Sequence, residues 1–422
     1  MIWTKKIKAG ALQLVLFVGT IIALLLLSFV LLSYSHKLFH KKTDILVSLI
    51  QATDVGMEDS FSSPMRINES LELTTTDELG IRIRVHKSYW GLLEKRQVKA
   101  NKGKMSFEKI ALVGNANPER PALYLRDNQR PLVLVGKTRI TGTAHLPERG
   151  IKTGNIRGHS YRAPRLIYGD KKRSQKQLPP LDPEVEQQIA RLTAPHFEPV
   201  GEDLFLKPGM VLKNSFKEPT KILRGTHLQL EQVQLSGNII VWATERIMVD
   251  ASATLRDVIL IAPKIDIGDF TEGNFQALAS KSIKIGKGCR LAYPSVLLVS
   301  EKNKPDIDLK DKAANILIGP NADIRGTVIY KSKSEKAHPY KPHIKIETNA
   351  TVTGMIHCSD NLELKGNVAG SVTTAGFIAL ENGSSYQNHL YNGSINSRLL
   401  PFEYAGIPYQ NGPLNQVSQW LY

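Results

Sequence analysis

Between residues 201 and 398 no window of 12 residues carries a convincing helical period. Short apolar pairs and triplets recur instead, separated by Gly, Asn or Asp. They include Ile239-Ile240-Val241, Ile247-Met248-Val249, Val258-Ile259-Leu260-Ile261, Ile265-Asp266-Ile267, Ile283-Lys284-Ile285, Val296-Leu297-Leu298-Val299 and Ile316-Leu317-Ile318. Ile344-Lys345-Ile346, Met355-Ile356, Leu362-Glu363-Leu364 and Phe377-Ile378-Ala379-Leu380 continue the series. Strands this short cannot bury two faces as an open sheet, whereas stacked turns of a solenoid can. The pattern therefore predicts a mainly β chain whose distal part is a parallel β-helix.

A glycine marks the repeat. Ile324-Arg325-Gly326-Thr327-Val328, Val352-Thr353-Gly354-Met355-Ile356 and Val368-Ala369-Gly370-Ser371-Val372 share the form apolar-x-Gly-x-apolar. Gly354 and Gly370 are 16 residues apart, one plausible turn. Gly326 and Gly354 are 28 apart, but the polar stretch Lys331–His343 reads as an inserted loop of 13 residues. Glycine permits the positive φ of a tight corner, and Asn321, Asn349, Asn361, Asn367 and Asn382 suit corners for a related reason.

Residues 344–383, IKIETNATVTGMIHCSDNLELKGNVAGSVTTAGFIALENG, resemble the bactofilins, polymer-forming cytoskeletal proteins of bacteria. The resemblance implies a parallel β-helix core and self-association, in a bacterial envelope protein. Pro401, Pro408 and Pro413 in the tail suggest that residues 399–422 cap the terminal turn.

The other end of the chain is different. From Gly10 to Ser33 there are 24 residues without a charge. As a helix at ~1.5 Å per residue they span ~36 Å, enough to cross a ~30 Å hydrocarbon core with some tilt. A cleaved signal peptide would have a shorter apolar region and a small-residue cleavage site. The run predicts an uncleaved signal anchor in the lipid bilayer. Three lysines and the amine precede it, which favours a cytoplasmic amino terminus and a periplasmic carboxy-terminal region. A prepilin-type reading of Gly10-Ala11 lacks the expected Glu, since position 15 is Val.

The remaining sequence falls into expected segments. They are a cytoplasmic tail over 1–9, the transmembrane helix over 10–33, a juxtamembrane helix over 34–60 and a small β domain over 61–135. Next come first β-helix-like turns over 136–170, then a basic, Pro-containing linker and short helix over 171–200. The β-helix over 201–398 and the capping tail over 399–422 complete the chain. Thr43 or Asp44 suits the start of the juxtamembrane helix. Asp182 suits an N-cap, with Pro183 at the first helical position.

The formal charge of +16 is local. Residues 1–42 carry +6, residues 148–176 carry +7 and residues 331–345 carry +4, leaving −1 elsewhere. No nucleic-acid motif with interleaved aromatics accompanies these bases, so nucleic acid is not an expected partner. Within 148–176, Arg157, Arg162, Arg165, Lys171, Lys172 and Arg173 form a candidate surface for an anionic partner. Lipid headgroups or an acidic glycan would suit it, with Tyr161 and Tyr168 as stacking rings.

Chemistry is sparsely signalled. Ile318–Ile324 is similar to the hexapeptide repeat of left-handed-helix acyltransferases, which use a His base such as His357 or His343 here. The six-residue period does not persist, however. Cys358 reads as an inward hydrophobe beside a solvent-facing His357. Asp266 and Asp269 are candidate carboxylates for glycan chemistry; Asp306, Asp308 and Asp311 read as a solvated loop. No metal-ligand spacing, dinucleotide fingerprint or P-loop occurs, so no cofactor or metal is expected. The expected function is a non-catalytic, membrane-anchored scaffold subunit of an envelope assembly, with protein partners or self-association. The alternatives are a glycan-binding or carbohydrate-active protein and an assembly component of a pilus-like or secretion machine.

Overall fold

A long run of Leu, Ile, Val and Phe without Pro or charge folds as the start of a single helix, α1 (Ala9–Phe61), of 53 residues. The computed structural model describes residues 9–74, 80–117, 119–301, 313–332, 340–410, 412 and 416–421. Residues 1–8 of the expected cytoplasmic tail, Asp306, Asp308, Asp311, Lys333, Lys336 and Pro413 lie outside them. Two compact units result: residues 1–63, 70–86 and 98–108 form one, and residues 64–69, 87–97 and 109–422 the other.

In the first unit, the juxtamembrane segment is not a separate helix. The hydroxyl of Thr43 donates to the Phe39 carbonyl (3.0 Å) and that of Ser48 to Asp44 (3.0 Å), so both sit inside an unbroken turn sequence. Residues 10–32 are exposed around the whole circumference. Further on, Leu49, Ala52, Thr53, Gly56, Met57 and Ser60 are buried at helical spacing. Gly56 lies so close to the strand residues Ile83 and Val98 that an added Cβ would come within 2.6 Å of Ile83. Ile81, Ile83 and Val85 are buried and alternate with exposed Arg82 and Arg84, the period of a half-buried strand. Ser70–Thr74 pairs antiparallel with Arg82–His86.

The second unit holds one closed sheet, parallel in nearly all its pairings. Its register is regular. Ile222 pairs with Ile240, Ile240 with Ile259, Ile259 with Gln276 and Gln276 with Val296, each 17 to 20 residues on. Val296 then pairs with Thr327, Thr327 with Met355 and Met355 with Ser371. Side chains alternate along each strand, so one inward column runs Val241, Leu260, Ala277, Leu297, Val328, Ile356 and Val372. A second runs Ile247, Ile265, Ile283, Ile316, Ile344, Leu362 and Phe377. Both belong to one apolar core. The apolar triplets of the sequence are the material of these columns.

The expected segment order needs three corrections. First, residues 61–135 are not a separate small β domain. Leu123–Leu125 and Leu132–Val135 join the second unit, and Leu123 pairs with Val372. Second, residues 136–170 do not precede the strand series that begins near 201. Arg139–Thr141 pairs with Ser394–Asn396, and Ala144 pairs with Leu123, so these strands join the sheet beside the carboxy-terminal strands. The apolar faces of 123–146 match those of 367–396 as well as any sequential neighbour would. Third, residues 399–422 do not end as a cap on the terminal turn. Gln416–Leu421 pairs antiparallel with Ile110–Gly114, and Tyr404 and Ile407 enter an apolar cluster outside the main core.

Helix α2 (Pro183–Leu192) starts where the sequence places it. Asp182 accepts hydrogen bonds from the amides of Glu184 (2.9 Å) and Val185 (3.4 Å), with Pro183 in the first turn. Its buried Val185, Ile189 and Leu192 share that outer cluster with Ile259, Ile261, Leu278 and Val296. The helix therefore covers a side of the sheet rather than its end.

Candidate functional site

The six bases expected to meet an anionic partner fall on three different local structures. Arg157 sits at positive φ (51°) in the turn of a small hairpin between Asn155–Ile156 and His159–Ser160. Arg162 and Arg165 are exposed in the loop that follows. Lys171-Lys172-Arg173 forms a parallel strand against Ala144–Leu146 and pairs with no other described strand. All three side chains are exposed, and Arg173 makes an exposed ion pair with Glu148 at 2.7 Å. Arg173 also lines an open groove of ≈780 Å³ with Tyr124, Asp127 and Lys176. The two tyrosines of the segment are not open stacking platforms. Tyr161 packs against the core and donates to the Arg165 carbonyl at 2.5 Å; the Tyr168 ring lies under Arg139 at 4.4 Å.

At the far end of the pairing series, Glu202–Leu204 pairs only with Lys221–Leu223 among the described strands. Its acids are met within the chain, Glu202 by Lys221 and Asp203 by Arg224.

The carboxylates Asp266 and Asp269 line a shared groove of ≈550 Å³. Neither is arranged for acid–base chemistry. Asp266 accepts from Arg246 at 2.5 Å and Asp269 from the Lys287 amide at 2.7 Å. Met248, Leu317 and Pro320 line the groove where a sugar site would want rings.

The acyltransferase comparison falls at His357. Only 4% of this side chain is exposed, because the carboxy-terminal tail brings Tyr409 over it, with ring centroids 5.8 Å apart. Burial, reinforced by the Lys331 charge, pushes its pKa down to about 3. The expected solvent-facing position was thus mistaken, since the tail that covers it is 52 residues away in sequence. Cys358 does point inward, fully buried, and burial pushes its thiol pKa up. That is an inert cysteine.

A further cluster of charges, three of them buried, was not signalled by the sequence. Lys87 lies 2.6 Å from Glu184 and 3.4 Å from Glu94, and donates to the Met65 carbonyl at 2.8 Å. Arg96 donates to Glu94 at 2.7 Å. The Lys87–Glu184 ion pair ties the α2 start to the strands. Among the described residues no group of three or more His, Cys, Asp or Glu could hold a metal ion.

A second basic surface is built by the sheet itself. A groove of ≈790 Å³ is lined by Arg246, Lys264, Lys281, Lys284, Lys341 and Lys345, with Asp266, Glu301 and Glu347 among them. Sequence reading missed it, because its bases come from four separate segments of the chain, each with one or two charges. The only available signal was a lone Lys or Arg beside each inward Ile, as in Lys264-Ile265 and Ile283-Lys284.

Neither the family models, the curated proteins nor the solved structures offer a match to this chain.

Proposed function

We propose that the protein is a single-pass, membrane-anchored scaffold of a bacterial envelope assembly, in which the closed sheet is wound as a parallel β-helix. The winding is supported by the register. Partners recur one pass downstream, and Asn367–Glu381 pairs in parallel with three separate strands, as a long strand does when it bends around corners. The resemblance of residues 344–383 to bactofilins agrees with it. The anchor reading rests on residues 10–33, an uncharged and largely apolar helical stretch whose residues 10–32 the protein leaves uncovered. With the denser positive charge ahead of it, this helix crosses the inner membrane and delivers the β-helix to the periplasm.

The single observation that carries the scaffold reading is the unbroken ladder of pairings from Glu202 to Arg173 by way of Asn367–Glu381, which offers a continuous sheet surface. Its sides, not its ends, are the interaction surface, because the strand Lys171–Arg173 resists addition of a further strand. Pull-down of the intact protein in mild detergent tests this. Stoichiometric recovery of other envelope proteins is expected; recovery of the protein alone as a monomer overturns the reading.

A further inference from the structure

The basic groove does not end where its lysines end. Ser280 and Lys281 line both it and an adjoining cleft of ≈360 Å³. That cleft runs between the carboxy-terminal end of α2 and the neighbouring sheet face. Its walls are Leu192, Pro195, Phe197, Trp242, Ile261 and Leu278. Cleft and groove meet at the corner where the parallel register shifts, between Trp242 and Arg246 and between Ala262 and Lys264. One side of the corner is apolar and the other is cationic.

The charge on the cationic side is only partly compensated. Arg246 is met by Asp266, and Lys345 by Glu347 at 2.8 Å. Lys264, Lys281 and Lys284 make no ion pair with any described residue. Lys264 pairs in register with Ser282, which lies between Lys281 and Lys284 in sequence. Sheet geometry therefore holds Lys264 and Lys284 ~8 Å apart, within reach of one anionic headgroup. The polar side chains of the cleft are hydroxyls of Thr and Ser with the lysine at the mouth. That lining would leave the ring hydroxyls of a sugar poorly matched, whereas it suits hydrocarbon.

We propose that cleft and groove form one binding site for an anionic amphiphile. Its acyl chain lies against Trp242 and Phe197, and its phosphate or carboxylate rests on Lys264, Lys281 and Lys284. The site is independent of the scaffold reading.

The test uses full-length protein in neutral detergent and two probes with brominated acyl chains, phosphatidylglycerol and oleate. Bromine quenches indole fluorescence at contact, so the quench lost on Trp242→Phe reports occupancy of the cleft. Saturable quenching of Trp242 by either probe is expected. Quenching by phosphatidylglycerol assigns a membrane source; quenching by oleate alone assigns a free fatty acid. Lys264→Gln, Lys281→Gln and Lys284→Gln together should weaken binding ~10-fold or more while thermal stability is kept. Brominated phosphatidylcholine bound as tightly as phosphatidylglycerol overturns the charged half of the site. No quenching of Trp242, with binding of polygalacturonate that the lysine variant abolishes, overturns the proposal in favour of an acidic glycan.

Discussion

Three glycines show how much one residue position can decide. Gly326, Gly354 and Gly370 stand in register on successive passes, with φ of 148°, 145° and 153°. A Cβ on Gly354 would overlap the Gly326 carbonyl, and one on Gly370 the Gly354 carbonyl. Gly354→Ala should therefore cost at least ~2 kcal/mol, from the unfavourable φ and from backbone that cannot retreat; thermal unfolding measures it. His357 supplies a second expectation. Unfolded, its imidazole takes a proton below about 6.5; folded, only below about 3. Between those values the unfolded chain binds more protons, so this residue's contribution makes stability fall as pH drops from 6.5 toward 3. His357→Gln should flatten the dependence of the melting temperature on pH across that window, by an amount of order 1 kcal/mol per pH unit at most. An unchanged profile would show that the ring is solvated. The glycine column was legible in the sequence, because apolar-x-Gly-x-apolar repeats at a local spacing. The burial of His357 was not, because Tyr409 reaches it from outside the repeat.

At the scale of elements, local chemistry predicted starts and missed continuities. Asp182 and Pro183 announce α2 by a mechanism confined to four residues, and the helix begins there. Asp182→Ala should lower stability by about 1 kcal/mol, while Asp182→Asn should keep most of it; the difference between the two melting curves isolates the cap. The expected break near Thr43 is absent. A threonine inside a helix can return its hydroxyl to the preceding turn, so a capping residue type is not itself a cap. The basic groove illustrates a further limit. Charges that lie one per pass become neighbours only when the register is known, and Lys264 beside Ser282 is a fact of pairing rather than of spacing.

For the molecule as a whole, chain order and stacking order differ. The strand Lys171–Arg173, which pairs on one side with Ala144–Leu146 and with no other described strand, comes from the first half of the sequence. Its three exposed bases are the kind of edge that discourages strand addition. Replacing Lys171, Lys172 and Arg173 together with threonine should produce concentration-dependent higher-mass species in sedimentation velocity. An unchanged distribution would remove the guarding role from these residues. The inward columns made the mainly β architecture readable, yet nothing in them says which pass neighbours which when all are apolar. The pairing of Leu123 with Val372 also imposes a timetable on synthesis. Residues 123–146 leave the ribosome roughly 250 residues before the strand they must join. At about 5–20 residues per second they wait for tens of seconds with apolar faces unmatched. Throughout that interval they are the part of the nascent chain in greatest need of a chaperone.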